Sequence, residues 1–162
     1  MKTLLILRHA KSSWKDPDLS DHDRPLNTRG EKDAPRMGRL LRKQELLPEL
    51  ILSSSAERAR KTAEKVAEES EFEGMLRFSR DLYSFGKEAY LEALSEVPDE
   101  INIVMIVGHN PSVEELLETI TGQHERLTTA SLAQISISMD HWGDILSEPD
   151  TKLVNLWRPK EV

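Results

Sequence analysis

Cysteine is absent from the chain, which excludes disulfide stapling, thiolate zinc sites and a cysteine nucleophile together. Positive charge is in deficit. Lys and Arg number 22 against 29 Asp and Glu, a formal net charge of −7, so the broad basic face that a nucleic-acid backbone requires is not expected. Long apolar runs are missing too. The longest near the start, Leu4 to Leu7, is far short of a signal peptide or a membrane span, and the expectation is a cytoplasmic protein with no membrane partner. No repeat, low-complexity tract or Gly/Ser linker divides the 162 residues, a length that suits one domain, 1–162. What is present suffices for a core: 38% of residues are hydrophobic, which argues against disorder.

Hydrophobic patterning alternates strands with helices. Thr3 to Leu7 is an apolar run readable at this length only as a buried strand. Leu50 to Leu52 and Asn102 to Val107 read the same way, the latter carrying the β-branched residues that suit a strand buried on both faces. A weaker strand falls near Arg77 to Ser79. Ala59, Ala63, Val66 and Ala67 recur at helical spacing, as do Val113, Leu116, Leu117 and Ile120. Thr28-Arg29-Gly30-Glu31 has the form of a capping box opening a further helix, and Pro35 inside it predicts a kink or a restart. Near the end, Ala133, Ile135, Ile137 and Met139 alternate with polar residues. A turn at His141-Trp142-Gly143-Asp144 then leads to Thr151 to Trp157, giving two late strands that can pair antiparallel. The pattern predicts an α/β protein, a three-layer α/β/α sandwich with a mostly parallel central sheet.

In a parallel sheet the carboxyl ends of the strands share one edge, and ligands bind there. The first strand runs into Arg8-His9-Ala10. The second runs into Ser53-Ser54-Ser55, with Arg58 in the first turn of the next helix, and the strand at 102–107 runs into Gly108-His109-Asn110-Pro111. Two arginines and two histidines thus reach one edge from three strands. Arg offers fork-shaped donors that match phosphate oxygens, and a helix N-terminus adds free N–H groups for an anion. Ser55 or a neighbour is suited to cap one such helix; Asn110, with Pro111 at the first helical position, suits the other. A histidine beside two arginines has its protonated form disfavoured, which leaves a ring nitrogen free to attack phosphorus. The set predicts a phosphoryl-transfer site.

These motifs carry a resemblance. Arg8-His9-Ala10 resembles the RHG signature of the histidine phosphatase superfamily, with Ala in place of Gly. Ser54-x-x-x-Arg58-Ala59-x-x-Thr62-Ala63 resembles its second motif and Gly108-His109-Asn110 its third. Arg24-Pro25-Leu26-Asn27-x-Arg29-Gly30, followed by Asp33-Ala34-Pro35-Arg36-Met37-Gly38, resembles the short SixA-type phosphohistidine phosphatases. The motifs run in order from Lys2 to about Pro111, each after its expected strand. The resemblance implies a phosphoglycerate mutase-like fold and a metal-independent phosphatase with His9 as the transiently phosphorylated nucleophile. It also implies that Arg8 and Arg58 hold the phosphoryl oxygens, that His109 completes the pocket and stabilises the transition state, and that water hydrolyses the intermediate. Such chemistry asks for positioning and charge stabilisation, so neither a cofactor nor a metal is expected.

Larger members of the superfamily place a Glu or Asp after the third strand as proton donor. In Arg80-Asp81-Leu82-Tyr83-Ser84-Phe85-Gly86-Lys87-Glu88 no carboxylate falls into that pattern; Asp81 is nearest and Glu88 next. Imidazole leaves phosphorus more readily than an alkoxide, so a site without a strong acid predicts phosphohistidine on a partner protein as substrate. A small-molecule phosphomonoesterase or mutase would use the same pocket. So would a phosphoprotein-binding module without turnover, although binding alone would not need a neutral His9.

The remaining polar residues have plainer readings. Lys11 and Arg24 lie in flanking loops where either could meet an anionic substrate. Trp14 could wall the site or cover the core, while Trp142 and Trp157 read as core or turn residues. Arg60 and Lys61 read as a solvated helix face. His22, His124 and His141 lack partners at ligand spacing and read as surface residues. A zinc set of His9, His22 and His109 with Asp21 or Asp23 is disfavoured by the two adjacent arginines. Oligomeric state is not legible.

Overall fold

Leu4, Leu5, Ile6 and Leu7 are each fully buried because β1 (Lys2–Arg8) is an inner strand covered on both faces. The computed structural model describes all 162 residues, Met1–Val162. β1 pairs in parallel with β4 (Ile103–Gly108) and antiparallel with β5 (Leu132–Ile137). β2 (Leu50–Ser54) adds to the far side of β4 and β3 (Met75–Ser79) to the far side of β2, both in parallel. β6 (Thr151–Trp157) pairs antiparallel outside β5. The order is β3-β2-β4-β1-β5-β6, a parallel group of four extended by an antiparallel pair.

Side-chain alternation along β1 divides the interior in two. Leu5 and Leu7 face the core covered by α1 (Thr28–Lys43) and α2 (Glu57–Glu69), which contribute Met37, Leu41, Ala63 and Val66. Leu4 and Ile6 face the other core. There α3 (Asp81–Ser84), α4 (Lys87–Ser95) and α5 (Ser112–Thr121) contribute Leu82, Tyr90, Leu94, Val113 and Leu116. Truncating one such leucine to Ala costs about 2–5 kcal/mol. The three layers and both late strands match the sequence reading. No helix is long and apolar enough to cross a membrane.

Local details depart from expectation for identifiable reasons. Asn27 rather than Thr28 caps α1, its side chain accepting a bond from Gly30 N at 2.9 Å. Glu31, which would have closed the box, pairs instead with Lys65 of α2 at 2.8 Å. Pro35 does not restart α1, which runs unbroken through it; Ala34, Met37, Leu40 and Leu41 are buried on either side, and packing of that face outweighs one lost backbone bond. Between β5 and β6 there is no tight turn at His141–Asp144. Trp142–Ser147 forms a 3-10 helix, because Trp142 sinks fully into the core and donates Nε1–H to Ile101 O at 2.7 Å.

Candidate active site

The register Arg8↔Gly108 between β1 and β4 sets the residues just beyond each strand side by side. The rings of His9 and His109 lie 5.0 Å apart between centroids. Two glycines allow the close packing around them. A Cβ on Gly108 would strike the Tyr90 hydroxyl beneath the end of β4, and one on Gly30 would strike the Lys11 carbonyl in the loop after His9. Thr62 of α2 ties that loop to the helix carrying Arg58: its hydroxyl accepts from Ala10 N at 3.0 Å and donates to Arg58 O at 2.7 Å.

His9 is 7% exposed, and its Nδ1 lies 2.7 Å from Ala10 O. A carbonyl only accepts, so Nδ1 carries the ring proton and Nε2 keeps a lone pair. Burial first, then His109, Arg58 and Arg8, push the His9 pKa down to about 3 against the opposing Ala10 bond. The ring is neutral at pH 7. His109 is likewise held neutral, down to about 4, by burial and then by Arg58. Its Nε2 lies 2.8 Å from Ser54 Oγ. Ser54 Oγ accepts Ala56 N–H, and His109 Nε2 is the acceptor within reach of its own proton, so the arrangement that satisfies both groups puts the imidazole proton on Nδ1.

Arg58 is 6% exposed and gives Nη1 to Asp21 O at 2.7 Å and Nη2 to Asp21 Oδ2 at 2.9 Å. Arg8 gives Nη1 to Leu127 O at 3.0 Å. Arg8 Nε, Arg58 Nε and His109 Nδ1 are all buried without a hydrogen-bond partner. Orphaned buried donors cost free energy, and the positive field of Arg8 and Arg58 reaches the neutral His9, a setting suited to an anion. The Leu127 peptide anchors the Arg8 side: its N–H goes to Glu114 Oε2 at 2.9 Å, and its oxygen also accepts Asn110 Nδ2 at 2.9 Å.

Arg8, His9, Arg58 and His109 therefore meet as expected, while several neighbours do not behave as read. Ser55 does not cap α2; Ala56 holds that position and Ser55 Oγ lies 2.8 Å from His22 Nε2. Pro111 is the residue before α5 rather than its first, and Asn110 caps nothing because its amide is drawn to Glu114 and Leu127. His22 is not a free surface residue: it stands edge-on to Tyr83 at 4.7 Å on the rim of the site. Arg24 is buried, bonded to Asp21 at 3.1 Å and Ser12 at 2.9 Å, and is a brace rather than a contact for substrate. Trp14 covers no core; it is 73% exposed and lies over the Arg24 guanidinium at 3.5 Å. Lys11 is exposed beside Arg8. Asp81 and Glu88 line a groove separate from the one that opens at Arg8.

Asp21 and Tyr83 were not singled out by motif. Burial would raise the Asp21 carboxyl, but hydrogen bonds from Tyr83 and Arg58 overcome it and hold the group at about 2. Tyr83 donates to Asp21 at 2.9 Å, and its ring stands 5.6 Å from that of His109. Asp21 lies in a short 3-10 turn, Asp21–Asp23, a loop feature without periodicity; its only sequence signal is a carboxylate upstream of the Arg24-Pro25 motif.

A sequence profile of the histidine phosphatase superfamily, branch 1, matches residues 4–82, which spans the Arg8-His9 and Arg58 motifs. An uncharacterized chloroplastic protein of Arabidopsis thaliana is 35% identical over 155 residues, covering 88% of this chain and 70% of that one. The chain belongs to the histidine phosphatase superfamily. Within the superfamily its architecture is of the SixA type. Solved SixA structures from Agrobacterium tumefaciens and Nakamurella multipartitia, provisionally assigned as phosphohistidine phosphatases, superpose with TM-scores of 0.84 and 0.85. They are 28% and 25% identical to this chain; each alignment covers 98% of it, with 98% and 96% of the two solved chains. The six-stranded sheet is thus the phosphoglycerate mutase-like fold, and membership of the superfamily makes the protein a histidine-phosphatase-type phosphatase.

Proposed function

We propose that this phosphatase removes the phosphoryl group from phosphohistidine on a partner protein, the whole chain acting as one catalytic domain. His9 is the nucleophile, Arg8 and Arg58 bind the phosphoryl oxygens, and His109 donates to the transition state. One observation carries the reading: the His9 Nδ1 bond to Ala10 O, which leaves an unprotonated Nε2 on a ring 5.0 Å from that of His109 and within the field of Arg8 and Arg58. In the first step His9 Nε2 bonds to phosphorus while the P–N bond to the substrate imidazole breaks. The leaving ring departs as neutral imidazole, its second nitrogen taking a solvent proton near neutral pH. Water then attacks phosphorus on His9. The P–N bond breaks, phosphate leaves with one water proton passing to solvent, and His9 returns with its proton still on Nδ1.

The carboxylates favour phosphohistidine over phosphate esters, because expelling an alkoxide calls for a positioned acid. Asp21 is ionised and committed to Arg58 and Tyr83. Glu114 Oε2 already accepts from Asn110 and Leu127, and Asp81 and Glu88 line the separate groove. The test compares kcat/KM for a histidine phosphotransfer domain carrying phosphohistidine with that for 3-phosphoglycerate and a sugar phosphate. The expected preference for phosphohistidine is about 100-fold or more, the worth of the missing acid. Equal or better turnover of the esters would favour a general phosphomonoesterase instead.

A further inference from the structure

Although the chain as a whole carries a net charge of −7, positive charge collects on one side of the site. A groove of about 650 Å³ opens at Arg8 and runs past Lys11, Arg29, Arg126, Arg158 and Lys160. Only two carboxylates line it, Glu114, bound to Asn110 and Leu127, and Glu161. Arg29 pairs with Asp33 at 3.4 Å and Arg158 with Glu125 at 4.0 Å, whereas Lys11, Arg126 and Lys160 are exposed and have no ion pair. Lys32 and Arg36 of α1 continue the charge beyond Arg29 and Lys160. The antiparallel extension of the sheet creates this flank: the loop before β5 supplies Arg126, and the segment after β6 supplies Arg158 and Lys160.

We propose that this groove docks an acidic stretch of the phosphorylated partner protein, lying beside its phosphohistidine. The proposal rests on the phosphohistidine reading above. Arg8, which the reading above places on the phosphoryl oxygens at His9, also lines the groove, so a chain that presents an imidazole to His9 has this surface within reach on the Arg8 side. Its volume far exceeds the share of about 30 Å³ taken by one water, so a phosphoryl group leaves most of it unfilled. Leu127 is its one apolar lining residue. Pockets that enclose small metabolites are walled mainly by apolar side chains, whereas a solvent-open row of cations suits carboxylates carried by a folded or extended chain. A long polyanion such as nucleic acid meets the net negative charge outside the groove. Exposed cations of this kind act mainly by raising encounter rate and fixing the partner's orientation, and salt weakens them.

The test uses two synthetic phosphohistidine decapeptides, one with four glutamates flanking the modified residue and one with four glutamines there, together with free phosphohistidine. The wild-type protein is expected to turn over the glutamate peptide with kcat/KM about tenfold higher at about 0.01 M ionic strength, the advantage shrinking by 0.15 M as the Debye length falls from about 30 to about 8 Å. Arg126→Glu/Lys160→Glu should abolish or invert that preference while changing turnover of free phosphohistidine by no more than about twofold. Equal turnover of both peptides by the wild type overturns the docking proposal and leaves the phosphohistidine reading standing, as does a preference that survives the charge reversal. Failure to turn over any phosphohistidine compound, alongside turnover of 3-phosphoglycerate, overturns both.

Discussion

Arg58 is held by Asp21 at two points, its backbone oxygen at 2.7 Å and its carboxylate at 2.9 Å. The same carboxylate takes bonds from Arg24 and Tyr83. A long side chain that would otherwise sample many rotamers therefore meets the phosphoryl group already oriented, which is the preorganisation that electrostatic catalysis needs.

Arg58→Lys keeps the charge and loses the planar fork. The expected fall in kcat/KM is on the order of 100-fold, equivalent to about 3 kcal/mol of transition-state stabilisation. Asp21→Asn, which loosens Arg58 without removing it, should cost less, about tenfold. Steady-state kinetics on a phosphohistidine substrate decide the point; an Arg58→Lys variant with near-wild-type kcat/KM would refute the cradle.

His9→Ala should abolish turnover with little change in fold, since the side chain projects from the loop just beyond β1. Wild-type protein quenched during turnover of a ³²P-labelled substrate should carry acid-labile, base-stable label on His9. Turnover should persist in EDTA. Label on any other residue contradicts the assigned nucleophile.

Asp81→Asn and Glu88→Gln should each change phosphohistidine turnover by less than about threefold, because expelling imidazole asks for no positioned carboxylic acid. Collapse of the reaction in either variant would identify a hidden general acid.

Acid should destabilise the protein well before ordinary carboxylates titrate. His9 and His109 are held at about 3 and about 4 against an unfolded value of 6.5. The unfolded chain thus takes up protons first as pH falls, and the contribution of both rings, complete above pH 6.5, is lost progressively towards their folded values. From pH 7 to 5 each should remove about 2 kcal/mol of stability. Asp21, held at about 2 against 3.8, adds a further loss between those values. Urea unfolding at pH 7 and pH 5 checks this. His9→Asn should lose less stability across that interval than the wild type, and an unchanged difference would mean that His9 is not buried neutral.

The four residues at the centre were legible because each follows a strand, and a parallel sheet gathers strand ends at one edge whatever the intervening sequence. That rule brings Arg8 at the end of β1, His9, Arg58 and His109 to one edge, while the roles given to them come from the family resemblance. Asp21, His22 and Tyr83 were not legible as a set, since they reach the site from a 3-10 turn and a four-residue helix, where no periodicity links chain position to direction. Capping failed for a related reason. Asn27 and Thr28 are both good caps, and Ser55 suits α2, but tertiary partners decide: Lys65 draws Glu31 away from the box, and His22 takes Ser55, leaving Ala56 at the start of α2. The basic groove is invisible in overall composition because the loop before β5 and the segment after β6 converge only through antiparallel pairing.

The bond from His9 Nδ1 to the Ala10 carbonyl also decides the regiochemistry of any phosphorylated form of the enzyme. Of the two isomers that phosphohistidine can adopt, only the one substituted at Nε2 keeps this bond. The selection is made by main-chain atoms at the exit of β1, so no exchange of side chain at position 10 removes the acceptor. The isomer follows from the path of the backbone, independently of which phosphorylated substrate delivered the group.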